Sequence, residues 1–465
     1  MARDTSFPLD PLPALQSAVD TIAWPALPSR TACAVLGYLA QLERTQWWAP
    51  ERLLERQLEQ LGLLLSHCWR HLPYYRPSLE EAGFRPDQAL TLEIWRRLPV
   101  LDRRQLQDDG AALLSPHIPK AHGKTSLRTS SGSSGRHISV TVTEIYGHVW
   151  NAITVRELLW YRRDPTKTLA AIRGRMKGAT YPEGRKLPTW GPPINELFAT
   201  GPAAALTSVT PIPQQVDWLR RWNPHYLVTM PQNLFALAEY CRQEGIALPN
   251  LCDISTYGGV VRPEDREVCH EAWGVTVSDT YSAEETGYIA LQCPEQMSYH
   301  VQSEGAFVEI LDAEGRLCGP GEIGRVVVTP LHNFATPLLR YDLGDFAEVA
   351  EPCPCGRGLP TLKRIIGRAR DMLTLPGGEQ VSPAFVGGLF KDFPVLQFQV
   401  AQMARDRLTA RLVAREPIDE ATEARMRAAM LERLPAAYEI AFEYLDEIPR
   451  SPGGKFQDFT SEMNS

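Results

Sequence analysis

The middle of the chain alternates between runs typical of buried strands and runs typical of amphipathic helices. Strand-like runs include TLAAIRG, HYLVTM, DISTYGGVV and GVTVSDTYS, and helix-like runs such as QQVDWLRRW and QNLFALAEYCRQEGI lie among them. Strands that alternate with helices in this way form parallel sheets, in which a helix crosses over from one strand to the next. The region around residues 127–345 therefore predicts an α/β fold with a mixed or parallel sheet.

The regions on either side of this alternation have a different character. The first 115 residues predict mainly helices, and the leucines of APERLLERQLEQLGLLLSHCWRHL share one broad helical face. These leucines are Leu53, Leu54, Leu58, Leu61, Leu64 and Leu65. Late in the middle region, GAFVEILDAEG and GRVVVTPL predict antiparallel strands separated by a turn.

The segment after residue 371 predicts a small unit of its own. VLQFQVAQ, RLTARLVAR and YEIAFEYL have the character of strands, and DEATEARMRAAMLERL has that of a helix. A segment of this size and content can fold as a separate α+β domain. We therefore predict an N-terminal domain at residues 1–366, a hinge at 367–371 and a C-terminal lid domain at 372–465.

Length, charge and cysteine content restrict the classes of protein that fit. A chain of 465 residues exceeds one compact core, and its net charge of -7 argues against a nucleic-acid partner. No apolar run is long enough to span a bilayer, and the first residues lack the features of a signal peptide. Nine scattered cysteines, an odd number, argue against a disulfide framework. We therefore expect a cytoplasmic enzyme, monomeric or homodimeric, without a membrane partner.

The run LRTSSGSSGRHISV at residues 127–140 has two interpretations. Serine and glycine runs are usually flexible linkers. This run, however, leads directly into the alternating apolar residues Ile138, Val140 and Val142, which predict a strand. Short hydroxyl side chains, exposed backbone N–H groups and the charge of Arg136 could instead hold phosphate oxygens. Composition alone leaves both interpretations open.

A different phosphate-binding loop can be excluded nearby. GKTS at Gly123–Ser126 resembles the end of a Walker A motif. That motif requires a glycine five residues before Gly123, and the chain has Ile118 there, followed by Pro119. The sequence therefore does not predict a P-loop kinase.

Five separated motifs occur along the chain in a consistent order. They are SSGSSG, DTYSAEETG, LLRYDLGDFAEV, GRARDML and IPRSPGGKFQD. In this order they resemble the phenylacetate–coenzyme A ligase family, in particular its CapK-like branch, within the adenylate-forming superfamily of acyl-CoA ligases and adenylation domains. The resemblance extends from about residue 71 to residue 455. It implies a large N-terminal domain with a helical beginning and mixed sheets, followed by a small, mobile α+β domain.

The resemblance interprets the serine-rich run as the loop that holds the β- and γ-phosphates of ATP. The matching residues are Ser130, Ser131, Gly132, Ser133, Ser134 and Gly135. Many members of the superfamily have a lysine two residues after the last glycine. This chain has His137 there, so Arg136 is expected to supply the positive charge.

Two further motifs imply the adenine and acyl pockets. Tyr281 would lie against the adenine, because an aromatic face suits a purine. Ser282 stands where the family has glycine, and we include it among the nucleotide-binding residues. Upstream, Tyr257, Gly258 and Gly259 in STYGGVVRPED match the family's turn beside both pockets.

The resemblance also implies roles for residues that follow. Asp345 would bind the ribose hydroxyls through its two acceptor oxygens, although Asp342 stands where the family has arginine. Arg368 would contact the phosphate or the ribose, and Asp371 would be the hinge between the domains.

The resemblance implies catalytic roles for one carboxylate and one amine. Glu285 would bind Mg²⁺, a hard cation that prefers carboxylate oxygens, while Glu284 replaces the family's serine or threonine. Lys455 would be the catalytic lysine. Its ammonium group could stabilise the negative charge that develops when a carboxylate attacks the α-phosphate.

Four residues could form a structural zinc site. Cys293, His300, Cys353 and Cys355 offer three thiolates and one imidazole, a set that fills a tetrahedral zinc ion and leaves no position for water. The pattern resembles a metal site in parts of the same ligase family. Free thiols and a surface histidine are the alternative.

The expected reaction has two half-reactions. ATP and Mg²⁺ would convert a carboxylic acid into an acyl-adenylate with release of pyrophosphate, and the thiol of coenzyme A would then displace AMP. The family implies an aromatic acid. Trp150, Trp160, Trp190 and Phe198 could line its pocket or belong to the core. Transfer to an amine or a carrier-protein thiol, and a non-catalytic nucleotide-binding protein, remain alternatives.

Overall fold

The computed structural model describes residues 12–130, 137–174 and 176–368, and in the C-terminal region 373–378, 380–381, 383, 386, 389–390, 392–448 and 458–463. Within these residues a large unit is built on one extended sheet, and a smaller unit has its own sheet and core. The predicted α/β fold with a helical beginning and a small C-terminal α+β unit is therefore confirmed.

Helices dominate the described residues before the first strand. They are α1 (Arg30–Thr45), α2 (Pro50–His71), α3 (Arg76–Glu81), α4 (Leu92–Arg97) and α5 (Arg103–Asp109). As predicted, α2 turns its leucines inward: Leu61, Leu64 and Leu65 are buried, and Leu54 and Leu58 pack against the same core. Helix α5 begins with a capping box, in which Asp102 and Gln105 satisfy each other's backbone N–H groups.

One mixed sheet organises the large unit. Its parallel side and its edge are formed by β3 (Leu169–Arg173), β4 (Arg185–Leu187), β5 (Ala203–Thr207), β6 (Tyr226–Thr229), β7 (Asp253–Tyr257) and β8 (Thr276–Ala283). Its antiparallel side is formed by β9 (Gly287–Gln292), β10 (Tyr299–Val301), β11 (Ala306–Leu311), β12 (Ile323–Pro330), β13 (Tyr341–Val349) and β14 (Thr361–Arg368). Among the described residues the sheet has 12 strands, in the order β11-β12-β13-β14-β10-β9-β8-β7-β6-β3-β5-β4.

The parallel side follows the alternation of the sequence. Strands β3, β5, β6, β7 and β8 pair in parallel. The helices between them include α7 (Ile194–Leu197), α8 (Ile212–Trp222), α9 (Pro231–Glu244) and α10 (Pro263–Trp273). A buried apolar core lies between α8, α9 and α10 and the parallel strands, as crossover connections require. Strands β11 and β12 pair antiparallel, which confirms the prediction from GAFVEILDAEG and GRVVVTPL.

The serine-rich run lies between two strands that pair with each other. Strand β1 (Thr125–Thr129) pairs antiparallel with β2 (Ser139–Thr143), and Thr129 faces Ser139. Beyond that pair, the Ser130 N–H donates to the Ile138 carbonyl at 2.8 Å. The run therefore connects neighbouring strands and is not an interdomain linker. Helix α6 (Glu144–Trp160) starts directly after β2, with the Thr143 side chain as its cap.

The C-terminal unit has a separate core. It contains β15 (Leu373–Thr374), β16 (Gln380–Val381), β17 (Val395–Ala404), β18 (Arg407–Ala414), α11 (Glu420–Arg433), β19 (Glu439–Tyr444) and β20 (Phe459–Ser461). The order β19-β18-β17-β20 forms its main sheet, onto which α11 packs Met426 and Met430. The buried members of this core all lie between Leu373 and Phe459.

Of the helices that the structure describes, none has both the length and the apolar content that crossing a bilayer requires.

Candidate active site

Residues expected to bind the nucleotide lie where two parallel strands end. Strand β7 ends at Tyr257, and Gly258 and Gly259 follow it. Its parallel neighbour β8 carries Tyr281 near its own end, and Glu285 lies in the turn between β8 and β9. Open α/β sheets bind ligands at the carboxyl ends of such strands. The topology thus places these residues where a ligand site is expected.

Asp345 connects this strand end to the antiparallel side of the sheet. The hydroxyl of Tyr281 donates a hydrogen bond to Oδ2 of Asp345 at 2.8 Å. Nε of Arg368 lies 3.3 Å from the other carboxylate oxygen, because β13 and β14 place these two residues opposite each other. Burial raises the pKa of Tyr281 well above its usual value, so its phenol remains a donor. Three predicted nucleotide-binding residues are thus in direct contact.

The Glu285 carboxylate is almost fully buried. Its side chain is 4% exposed, and its closest cationic partner is Nη1 of Arg103 at 3.8 Å. Burial raises the pKa of Glu285, and the nearby Arg103 and Arg368 only partly offset this effect. A buried carboxylate without a close ion pair is costly by itself. A hard cation such as Mg²⁺, which takes oxygen ligands, fits this position.

Arg103, at the start of α5, is a site residue that the sequence did not reveal. Its Nε and Nη1 atoms are buried and make no hydrogen bond of normal geometry among the described residues, and the guanidinium adjoins the Tyr341 hydroxyl. The side chain is 19% exposed and adjoins Glu285. Buried donors without partners are rare in proteins and suggest a missing ligand. An anion such as a nucleotide phosphate would satisfy them.

Two departures from the family motifs have structural explanations. Asp342 pairs with Nη1 of Arg325 on the neighbouring strand at 3.0 Å and accepts a bond from the Gly344 N–H at 2.8 Å. It therefore stabilises the sheet at the position where the family has arginine. Glu284 lies 3.7 Å from Arg128 of β1, and both side chains are about half exposed. A pair so exposed contributes little to stability.

The glycines after β7 are required by the backbone. Gly258 has a φ of 70°, which side chains rarely tolerate. A Cβ atom on Gly259 would lie 3.1 Å from atoms of Pro231 and Gln232 at the start of α9. The Arg173 guanidinium lies over the Tyr257 ring, 5.3 Å from its centroid. The predicted tight turn is present, and its tyrosine faces a cation.

A narrow, mostly apolar cleft begins directly after Glu285. Its lining is Tyr146, Val149, Trp150 and Ile153 of α6 together with Thr286, Gly287, Tyr288, Gly305 and His332. The rings of Trp150 and Tyr288 lie 4.8 Å apart. Of the four aromatic residues considered above, Trp150 lines this cleft, whereas Trp160 and Phe198 are buried in the core and Trp190 packs against it. The core interpretation is therefore correct for those three.

The predicted phosphate loop is described only at its first residue. Ser130 accepts a hydrogen bond from the Ile138 N–H through its hydroxyl at 3.0 Å, and its carbonyl lies 2.9 Å from Nδ1 of His137. Ser282 pairs with Tyr288 across β8 and β9. Several predicted residues lie outside the described part of the chain: Ser131, Gly132, Ser133, Ser134, Gly135, Arg136, Asp371 and Lys455. Their roles remain predictions.

The four predicted zinc ligands converge. Cys293 follows β9, His300 lies in β10, and Cys353 and Cys355 lie between β13 and β14. All four are buried, and their ligand atoms lie within 4.8 Å of one another. The Sγ atoms of Cys353 and Cys293 are 3.8 Å apart, and Nε2 of His300 is 3.3 Å from Sγ of Cys355.

These separations fit a zinc ion. Two thiolates that each lie about 2.3 Å from one tetrahedral ion are about 3.8 Å apart. Among the described residues, these four form the one cluster of three or more His, Cys, Asp or Glu side chains that could hold a metal ion. His300 is fully buried, so it is not a surface histidine, and the role of the three thiols as zinc ligands stays a prediction.

Comparisons with known proteins agree with the motif pattern. The CapK C-terminal domain model matches residues 373–462. The phenylacetate-coenzyme A ligase of Thermus thermophilus is 28% identical over 344 residues, which cover 70% of this chain and 73% of that protein. The corresponding ligase of Pseudomonas putida is 24% identical and covers 73% and 75%. Protein CapK of Staphylococcus aureus is 28% identical over 183 residues, 36% of this chain and 40% of CapK.

Solved structures show the same fold. A 2-hydroxyisobutyryl-CoA ligase, solved in the postadenylation state with an adenylate, superimposes with a TM-score of 0.68 at 21% identity, over 87% of this chain and 89% of that one. The antiparallel and parallel sides of the sheet and the separate C-terminal unit thus form the fold of adenylate-forming CoA ligases. The resemblance predicted from the motifs is confirmed: this chain is a homologue of the phenylacetate–coenzyme A ligases and carries a CapK C-terminal domain.

Proposed function

We propose that this protein is an ATP-dependent acid–thiol ligase. It converts a carboxylic acid into an acyl-adenylate with release of pyrophosphate, and it then transfers the acyl group to the thiol of coenzyme A. The observation that carries the proposal is the convergence of Tyr281, Glu285, Asp345 and Arg368 at one end of the sheet. The curated ligases, of which this chain matches 73% and 75%, support the choice of acid and thiol.

The nucleotide occupies the strand ends. Ser130 and the following residues to Gly135, with Arg136, bind the β- and γ-phosphates, and Arg103 supplies the donors that the described structure leaves without partners. Asp345 accepts hydrogen bonds from the ribose hydroxyls. Each of its oxygens has further acceptor capacity beyond its contacts with Tyr281 and Arg368.

Activation of the acid depends on stabilising negative charge. Glu285 would hold Mg²⁺, which would supply positive charge for the phosphates and the leaving pyrophosphate. Lys455, supplied by the C-terminal unit, places its ammonium group near the oxygen that attacks the α-phosphate. The C-terminal unit then rotates about Asp371 and moves away from the adenylate. The coenzyme A thiol can now reach the acyl carbon and displace AMP.

The substrate is an acid with an apolar, aromatic body. The cleft after Glu285 is lined by the Trp150 and Tyr288 rings and the aliphatic side chains of Val149 and Ile153, and its volume of about 10 Å³ means that these side chains must move apart to admit an acid. Such a surface buries an aromatic ring favourably. The relatives that are phenylacetate-coenzyme A ligases support the same class of acid.

The cysteine and histidine cluster holds structural zinc. Cys293, His300, Cys353 and Cys355 supply four ligands, which leaves no open position for catalysis. The ion would tie the loop between β13 and β14 to the end of β9. Metal analysis of protein purified without chelators should find about one zinc per chain. Protein that is fully folded and free of zinc would reject the site.

Pyrophosphate exchange tests the main proposal. The protein, ATP and Mg²⁺ are incubated with labelled pyrophosphate and a panel of aryl, arylacetic and aliphatic acids. We expect acid-dependent labelling of ATP, strongest with an aromatic acid, and loss of that signal by orders of magnitude in Lys455→Ala. Adding coenzyme A, an amine or a carrier protein then identifies the acceptor. A folded, zinc-loaded protein that exchanges pyrophosphate with none of the acids would contradict the proposal.

A further inference from the structure

One ion pair joins the two units of the protein beside the candidate active site. Nη1 of Arg262, which precedes α10, lies 2.5 Å from Oδ2 of Asp458, which precedes β20. The two side chains are only 22% and 23% exposed, so water screens the pair weakly. A charge-assisted contact of this length is among the stronger polar interactions in proteins.

Both partners are held by their own unit. The Arg262 N–H donates to Oδ2 of Asp265 at 2.9 Å, and its Nη2 lies 3.6 Å from the other oxygen of the same carboxylate. Asp265 is buried at the start of α10. On the other side, the Asp458 carbonyl accepts a hydrogen bond from the Val400 N–H at 2.8 Å, which fixes it to the edge of the C-terminal sheet. The pair therefore connects two rigid elements.

In the sequence, each residue of this ion pair lies close to a motif that is expected to act in the adenylation half-reaction. Arg262 follows the Gly258–Gly259 turn by three residues, and Asp458 follows Lys455 by three residues. A contact between them holds the chain next to Lys455 against the chain next to the adenine turn. We expect rotation of the C-terminal unit about the predicted hinge at 367–371 to separate the two charges.

We propose that Arg262 and Asp458 are a positioning pair that favours the adenylation half-reaction and is broken before acyl transfer to the thiol. The inference rests on the proposed function, since it assigns the contact to one of its two steps. Neither residue is a catalytic group: the pair acts through Lys455, by limiting where its segment can lie. A ligand-independent contact that biases one of two states shifts their populations by its own free energy.

The test separates the two half-reactions. Asp458→Asn removes the negative charge of the pair. Arg262→Gln removes the positive charge, and with it the contact of that guanidinium with Asp265. The first step is read by pyrophosphate exchange, and the second by thioester formation from chemically prepared acyl-adenylate and coenzyme A. Each single variant should slow the first step by about tenfold and should not slow the second. The double variant should be no slower than the slower single variant, because both remove one interaction.

A matched control is available in the C-terminal unit. Nη1 of Arg411 lies 2.7 Å from Oε1 of Glu462, at the other end of β20, and these side chains are 22% and 29% exposed. Glu462→Gln removes an ion pair of similar burial that does not join the two units, and it should leave the ratio of the two rates unchanged. Thermal unfolding of all variants shows whether Arg262→Gln, which removes the guanidinium beside the buried Asp265 carboxylate, still folds.

A substrate-free measurement keeps the inference separate from the proposed function. Small-angle X-ray scattering should give Asp458→Asn a larger radius of gyration than the wild type or Glu462→Gln. If both half-reactions slow equally, or if exchange and scattering are unchanged in Asp458→Asn, the positioning pair is wrong while the ligase remains. If the wild type activates no acid, the proposed function fails, and scattering still decides whether the pair holds the units together.

Discussion

Two buried arginine–glutamate pairs in the large unit have the same composition and opposite character. Arg340 donates to both oxygens of Glu309 at 3.0 Å, and its Nη1 donates to the carbonyls of Leu98 and Arg96. Arg103 approaches Glu285 only to 3.8 Å, and two of its nitrogens have no hydrogen-bond partner among the described residues. The first pair satisfies its own hydrogen bonds within the protein, whereas the second leaves donors of Arg103 without hydrogen bonds among the described residues.

The difference shows how to separate structural from functional charges. A buried pair that satisfies its own donors and acceptors stabilises one conformation, here including the φ of 50° at Arg340. A buried pair that leaves donors unsatisfied costs stability, and proteins keep such a cost mainly at functional sites. Residue types alone do not distinguish the two cases. The two cases are distinguished by how many donor and acceptor atoms of the pair have a hydrogen-bond partner.

The largest expected effect is on stability at the complete pair. Arg340→Gln leaves the Glu309 carboxylate buried with only the Trp95 indole N–H, at 3.1 Å, as a remaining side-chain donor. Breaking a buried pair from one side costs about 3–5 kcal/mol of unfolding free energy. Chemical denaturation should show this loss, and the rate of pyrophosphate exchange per folded molecule should stay close to wild type. A lower exchange rate at full stability would place Arg340 in the site.

Glu285→Gln should have the opposite effect to Arg340→Gln: it should lower activity without lowering stability. The amide keeps the shape but loses the charge that holds the cation, so we expect pyrophosphate exchange to fall by roughly 100-fold or more. Raising the Mg²⁺ concentration should recover part of the activity. Exchange that depends on Mg²⁺ as in the wild type would contradict the assignment of Glu285 as its ligand.

Arg103→Gln should weaken the binding of ATP with little effect on folding. Loss of one charge-assisted phosphate contact raises the KM for ATP by about tenfold. Arg104→Gln is the matched control, because its side chain is the next along the same helix and has no contact with Glu285 recorded among the described residues. Equal changes in the two variants would show that the effect is one of general charge.

The smallest expected effect is a gain in stability. Burial raises the pKa of Glu285 from its usual 4.5, so the charged form is disfavoured in the folded protein. This cost is present above the raised pKa and disappears as pH falls through it toward 4.5. Without nucleotide, Glu285→Gln should therefore raise the midpoint of thermal unfolding at pH 7, and the gain should vanish in acid. A lower midpoint at pH 7 would show that Glu285 stabilises the ligand-free fold.

Motif order predicted four residues that lie together in the structure, and their roles toward a nucleotide stay predictions. Tyr281, Glu285, Asp345 and Arg368 were identified because each lies in a short segment whose pattern is local, and the structure brings all four together. The cluster of three cysteines and His300 was predicted because closely spaced cysteine pairs are rare, and the structure brings its four members together. The aromatic residues were less informative: Trp160 and Phe198 are core residues, since a tryptophan or phenylalanine suits a pocket and a core equally well.

Arg103 was missed because nothing near it in the sequence marks it. It reaches the site through tertiary pairing: the Leu101 N–H donates to the Arg340 carbonyl, and the Asp342 N–H donates to the Leu101 carbonyl. These bonds, at 3.0 and 2.9 Å, fix the start of α5 beside β13. The contact between Arg262 and Asp458 was hidden for the same reason, because its partners belong to different units.

The sequence by itself determined the local features of this protein. Periodicity set which segments are helices and strands, and the alternation of the two required parallel crossovers. Glycine at position 258 allowed a backbone that other residues resist. Only the tertiary structure decided which charged side chains find hydrogen-bond partners within the protein and which do not. Hydrogen bonding and desolvation depend on what lies within a few ångströms in space, and residues far apart in the chain supply most of those neighbours.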